Sequence, residues 1–190
     1  MKPKAFIADY VEAHAAVVKS LPQNEIDNLI LLFFKALQED KQIFAFGNGG
    51  SATNASHFIT DLSKAASDKL PTRFKGLCLN ESISWITALG NDYAYEDIYV
   101  RQLMNFAKPG DIVFVLSVSG NSPNIVKAVE WSKQNNVYTI ALTGKKTNQL
   151  QGLADFHIGI ESVHYGRVED AHMHICHMIC YAFIEGITFE

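Results

Sequence analysis

Ile43-Phe44-Ala45-Phe46-Gly47-Asn48-Gly49-Gly50-Ser51 is an apolar run that breaks into a loop of small and amide residues. A second stretch, Ile112-Val113-Phe114-Val115-Leu116 followed by Ser117-Val118-Ser119-Gly120-Asn121-Ser122, repeats the arrangement. Runs this short and this rich in Ile, Val and Phe read as strands buried on both faces, and a stretch with helical spacing follows each loop. Small residues at a strand-to-helix junction let backbone N–H groups approach an anion at the positive end of the helix, and hydroxyls add donors. Both loops therefore point to a phosphorylated small molecule. Neither holds the Lys of a nucleotide P-loop.

Working outward, strands are predicted at 43–46, 74–79, 112–116, 138–142 and 156–160, with helical stretches at 53–64, 82–89, 98–106, 123–135 and 168–184. Strand–helix alternation implies right-handed crossovers and a doubly wound α/β fold, a five-stranded parallel sheet covered by helices on both faces. Ligands of such sheets bind beyond the carboxyl ends of the strands, near the point where strand order reverses, and both loops are expected there. Nothing divides the chain, so one domain over 1–190 is expected, with a helical segment at 1–40 and an α/β core at 41–190. Ile7, Val11, His14, Val18 and Leu21 recur at helical spacing in that first segment, and a second helix is predicted from 25 to 37. Leu29-Ile30-Leu31-Leu32-Phe33-Phe34 makes the second helix apolar on nearly every side, which a monomer's surface helix cannot sustain without a large exposed patch. The segment is accordingly read as an oligomerisation element.

The 190 residues are 48% hydrophobic and 19% charged, the composition of a globule with a real core, and the net charge of −4 leaves no basic footprint for nucleic acid or an anionic membrane. Cys78, Cys176 and Cys180 form no disulfide framework, and no apolar run approaches the length of a membrane span. A cytoplasmic protein is the expectation. Gly47 to Ala52 formally matches G-x-G-x-x-A, but a dinucleotide site also needs an acid at the end of the second strand. That strand ends near Leu79-Asn80-Glu81, too far along, and Asp68 follows no strand.

His57 and Asp61, at i and i+4 beyond the first loop, share a helix face at a metal-ligand spacing. Glu169 and His177 differ by only about 80° on a helical wheel, so they can border one pocket, while His174 points elsewhere. His157 and His164 read as structural or solvated, and Cys176 and Cys180 as packing residues.

Four ordered motifs carry a resemblance: Gly47 to Ala52 followed by His57-Phe58; Ala88-Leu89-Gly90-Asn91-Asp92-Tyr93; Ser117 to Asn124; and Arg167-Val168-Glu169-Asp170-Ala171-His172. With them the chain resembles the sugar isomerase (SIS) domain family, and within it the phosphoheptose isomerases. The resemblance implies a homotetramer with active sites between subunits, a phosphorylated sugar as substrate, and interconversion of sedoheptulose 7-phosphate with D-glycero-D-manno-heptose 7-phosphate. It makes Ser117, Ser119 and Ser122 the phosphate cradle, puts Asn48, Gly49, Gly50 and Ser51 on the sugar, and gives Asn91 and Asp92 to its hydroxyls. His57, Asp61, Glu169 and His177 would form the reaction centre and hold one zinc ion per site. The family usually has Glu at the position of Asp61 and Gln at that of Glu169, so this site carries one more anion.

Aldose–ketose isomerisation needs a base over C1–C2, an acid at the carbonyl oxygen and a stabilised oxyanion. Asp61 or Glu169 is assigned the proton shuttle, Asp61 first, and His177 the oxygen. The rival expectation is a non-catalytic SIS module that binds a sugar phosphate or another protein; an ionisable cluster beside a phosphate loop argues against it.

Overall fold

The computed structural model describes residues 2–145 and 147–188. Successive side chains of a strand point to opposite faces of a sheet, and the two strands at its centre are apolar on both. In β1 (Gln42–Gly47), Ile43 and Ala45 enter one buried cluster and Phe44 and Phe46 the other. In β3 (Ile112–Ser117), Ile112, Phe114 and Leu116 alternate in the same way with Val113 and Val115. The first cluster lies under α2 (Gln23–Gln38), α3 (Gly50–Thr60) and α8 (Tyr165–Ile184), with Val17 of α1 (Pro3–Lys19) at its margin. The second lies under α4 (Ile83–Asp92), α5 (Val100–Phe106), α6 (Pro123–Gln134) and α7 (Gln149–Leu153).

With β2 (Lys75–Cys78), β4 (Tyr138–Gly144) and β5 (Phe156–Ile160), the strands form one parallel five-stranded sheet in the order β2-β1-β3-β4-β5. The chain leaves β1 toward β2 on one side and returns to β3 on the other, so strand order reverses between β1 and β3. The Asn48–Gly49 and Val118–Ser122 loops leave the carboxyl ends of those two strands. The predicted strands are all present, β2 shorter than predicted. Five-residue α7 is too short for periodicity to reveal; Asn148 caps it, its side chain accepting a hydrogen bond from the Gln151 N–H.

Two features beyond the sequence reading matter for the site. After Thr60 the helix of α3 does not stop; it continues as a π-helical turn over Asp61–Ala66 and a 3₁₀ turn over Ser67–Lys69. Such widened turns are often found at functional sites. The apolar α2 is also largely covered inside its own domain, with Leu29 and Phe33 fully buried. One flank meets the sheet and the other meets α8, while Leu31 stays exposed and Ile30, Leu32 and Phe34 are only partly covered. A further exposed apolar stripe belongs to α1, where Phe6, Ile7 and Val11 are 56 to 61% exposed. Among the described residues no helix is long and apolar enough to cross a membrane.

Candidate active site

In a parallel sheet the helices that follow the strands begin at the carboxyl edge, so their positive ends converge there. A cleft of about 110 Å³ opens at this edge, lined by Asn48, Ser51, Ser117, Val118, Ser119, Ser122, Tyr165 and Glu169. Ser122 is the N-cap of α6, yet its side chain makes no capping bond; its Oγ lies 3.5 Å from that of Ser119. The turn between them is tight: Gly120 adopts φ +61°, and its N–H donates to Ser117 Oγ at 3.2 Å. Hydroxyls gathered at the N-terminus of a twelve-residue helix, one of them released from capping, are donors of the kind that suits an anion. The volume is far below the roughly 300–1,000 Å³ of a pocket that encloses a whole small molecule. It suits the charged end of a ligand.

α3 and α8 run side by side in the same direction. Near their N-termini the Glu169 carboxylate covers Gly50, where a Cβ would meet Oε1 at 2.5 Å, and Asn54 Nδ2 donates to the Glu169 carbonyl at 2.9 Å. Further along, Asp61 Oδ2 lies 3.2 Å from His57 Nε2 and 3.8 Å from His177 Nε2, and the two imidazole rings meet edge-on with centroids 5.2 Å apart. His57, Asp61 and His177 each offer a ligand atom within 4.8 Å of the others. Two imidazoles and a carboxylate are a donor set that suits Zn²⁺ and leave a coordination position open, so these residues fit the metal that the family resemblance implies. Their side chains are 51%, 25% and 44% exposed, so the trio faces outward.

Glu169 is not among them. Eight residues along an α-helix rise about 12 Å, so within one chain Glu169 stands at the serine cleft and His177 well down α8. The angle between them around the helix, on which the expectation of a shared pocket rested, does not convey this separation along it. Asn91 and Asp92, at the end of α4, are exposed, bonded to each other at 2.9 Å, and outside the cleft lining. His174 is exposed on another face of α8 and packs against His14. His164 caps α8, and His157 bonds Thr143 Oγ1 at 2.8 Å. Burial raises the thiols of Cys176 and Cys180 well above their ordinary pKa, which keeps them as packing groups. Arg73 pairs with Asp68, and Lys75 with Asp40.

His172 is fully buried, its Nε2 3.2 Å from the Thr143 carbonyl, and burial lowers its pKa to about 4. It is a neutral donor of the fold. The unfolded chain takes up this proton near pH 6.5 and the folded chain does not, so the His172 contribution is intact above pH 6.5 and lost as pH falls toward 4. The loss amounts to about 3 kcal/mol by pH 4. Urea denaturation at pH 7 and pH 4.5 is expected to show a smaller acid-dependent loss in His172→Gln than in the parent protein; equal losses would show that other groups carry it.

Sequence reasoning missed the residues that hold the first loop. Tyr99 is buried beneath it, its hydroxyl donating to the Gly47 carbonyl, and Asn80, Asn124 and Tyr165 also gather at the cleft or its floor. An Asn directly after a predicted strand, at position 80, was the available signal.

A family model described as the SIS domain matches residues 6–144. A probable phosphoheptose isomerase of Thermoplasma volcanium is 36% identical over 174 residues, covering 92% of this chain and 88% of that protein. The phosphoheptose isomerase of Bordetella avium is 39% identical over 153 residues, covering 78% and 77%. This chain belongs to the phosphoheptose isomerase family of SIS domains. A solved phosphoheptose isomerase from Francisella tularensis superposes with a TM-score of 0.89 at 26% identity, over 97% of this chain and all of that one. The family's fold is thus retained over nearly the whole chain, N-terminal helices included.

Proposed function

We propose that this protein is a cytoplasmic aldose–ketose isomerase that interconverts sedoheptulose 7-phosphate and D-glycero-D-manno-heptose 7-phosphate for heptose biosynthesis, as a homotetramer with one zinc ion per site. The observation that carries the reading is the convergence of His57, Asp61 and His177 from two helices far apart in sequence, on the same helix pair that brings Glu169 to the cleft. The phosphate is held by Ser117, Ser119 and Ser122 at the start of α6, which anchors the substrate away from the reacting carbons. Asn48, Gly49, Gly50, Ser51 and Glu169 take the sugar, with Asn91 and Asp92 contributing to its hydroxyls. Asp61 moves the proton between C1 and C2, because Oδ2 is the atom shared with both imidazoles and leaves Oδ1 for the substrate. His177 serves the carbonyl oxygen. A zinc ion held by His57, Asp61 and His177 would supply Lewis-acid polarisation of that oxygen.

The distance between Glu169 and the trio within one chain supports an intersubunit site. A ligand anchored in one protomer's small cleft reaches an outward-facing trio most directly on a neighbour, and the exposed stripe of α1 offers a surface for assembly. The test is incubation of the purified protein with sedoheptulose 7-phosphate, with and without a chelator, while aldose product and bound metal are measured. Product only without chelator, with metal near one ion per chain, is expected. Binding without conversion by metal-replete protein would overturn the isomerase reading.

A further inference from the structure

The side-chain amides beneath the cleft have their orientations set by two main-chain N–H groups, which can only donate. The N–H of Ile125 is shared between the Ser122 carbonyl and Asn124 Oδ1, each at 3.0 Å, which puts the Asn124 amide nitrogen on the other side, where it donates to Asn48 Oδ1 at 2.9 Å. Asn48 Nδ2 returns a bond of 2.9 Å to Asn124 Oδ1. In the same way the N–H of Gly47 donates to Asn80 Oδ1 at 3.2 Å, which turns Asn80 Nδ2 toward the Gly47 carbonyl and the Tyr99 hydroxyl, each at 3.0 Å. The Tyr95 hydroxyl approaches Asn48 Oδ1 at 3.2 Å, and the Tyr99 hydroxyl, whose single proton is shared between the Gly47 carbonyl and this atom, lies 3.1 Å from it. Asn48 Oδ1 is therefore surrounded by donors and one N–H of its amide is engaged; the second N–H belongs to a residue that lines the cleft. Asn124 and Tyr99 are both buried, so water does not compete for these bonds.

We propose that Asn124, Tyr99 and Asn80 are positioning residues that hold the Asn48 carboxamide in one orientation, so that it presents an N–H donor to a ligand oxygen. The inference rests on the reading of the cleft as a sugar-phosphate site and adds which chemical group that site offers. A flexible amide would offer donor and acceptor alike; a held one selects an oxygen lone pair of the sugar and adds no repulsion to the phosphate. It also means that Asn48 does not have to be ordered when the ligand arrives.

The test is a set of double-mutant cycles on chelator-treated protein, which binds without turning over. Dissociation constants for sedoheptulose 7-phosphate and inorganic phosphate are measured for the parent, Asn48→Ala, Asn124→Ala, Tyr99→Phe and the two doubles with Asn48→Ala. Asn124→Ala is expected to weaken the sugar phosphate about tenfold and Tyr99→Phe about threefold, the scale of one hydrogen bond. Inorganic phosphate should shift less than twofold, and neither change should have an effect once Asn48 is Ala. A contribution that is merely structural would persist in the Asn48→Ala background and would overturn the proposal. Tyr99→Phe removes one oxygen and serves if Asn124→Ala fails to fold. Ligand-free crystal structures decide the matter whatever the substrate: an Asn48 carboxamide that keeps its rotamer in both variants sinks the proposal. Absent turnover by the metal-replete parent would instead count against the isomerase reading alone.

Discussion

Asp61→Asn is expected to lower turnover of sedoheptulose 7-phosphate by about 10²- to 10⁴-fold, the usual worth of a general acid–base group. Asn is the same size, so packing around the π-helical turn is kept, but it carries no charge and cannot accept the substrate proton. It is also a poor partner for a cation between two imidazoles, and bound metal should fall with activity. His177→Ala is expected to match it, because the carbon-bound proton that Asp61 moves and the oxygen-bound proton that His177 serves must both be transferred for the enediol to form and collapse. Inorganic phosphate should bind both variants within about twofold of the parent. The serine cleft lies at the N-termini of α6 and α8, and His177 stands eight residues along α8 from Glu169, a rise of about 12 Å. Steady-state kinetics, metal analysis and calorimetry with phosphate test the set. An Asp61→Asn enzyme that keeps a tenth of parental turnover would remove Asp61 from the chemistry.

The second large effect is one of stability. Gly47 ends β1 in register with Leu116 of β3, and a Cβ there would lie 2.7 Å from the backbone carbon of Ser51 and 2.8 Å from the Leu116 carbonyl oxygen. Both obstacles are main chain, one at the start of α3 and one in the central strand, and neither can rotate away. Gly47→Ala is expected to cost about 3 kcal/mol, the upper part of the range for overpacking. For a chain of this length that lowers Tm by roughly 6 to 12 °C. Activity should fall as well, since the displaced Gly47 carbonyl is the one held by Tyr99 and Asn80. Gly152→Ala is the control: a Cβ there meets nothing within 4 Å, so a change within about 0.5 kcal/mol is expected. Thermal unfolding of the two variants side by side is the measurement, and equal Tm values would show that β1 and α3 can part without cost.

How much was legible beforehand follows from how local each signal is. Strands such as 112–116 stand out because a strand covered on both faces has no polar side, and the chemistry of both loops follows from the residue types at the strand ends. His57 and Asp61 meet as expected because i, i+4 geometry belongs to the helix alone. The apolar run of α2 says that a surface is buried and leaves open by what; within the chain α8 and the sheet cover Leu29 and Phe33, and α1 carries a further exposed stripe. The separation of Glu169 from His177 within one chain was not legible, because an angle on a wheel carries no information about rise.

The sequence by itself determined the parallel sheet, the placing of both loops at its reversal of strand order, the hydroxyl-rich turn before α6 and the helical pair His57–Asp61, all consequences of period and residue type over short spans. Only the tertiary structure decided that His177 joins that pair, that Glu169 stays at the cleft, and that Tyr99, Asn80 and Asn124 lock the first loop. These are meetings between segments with no common periodicity, and their distances depend on how α8 lies beside α3 and how β2 lies beside β1.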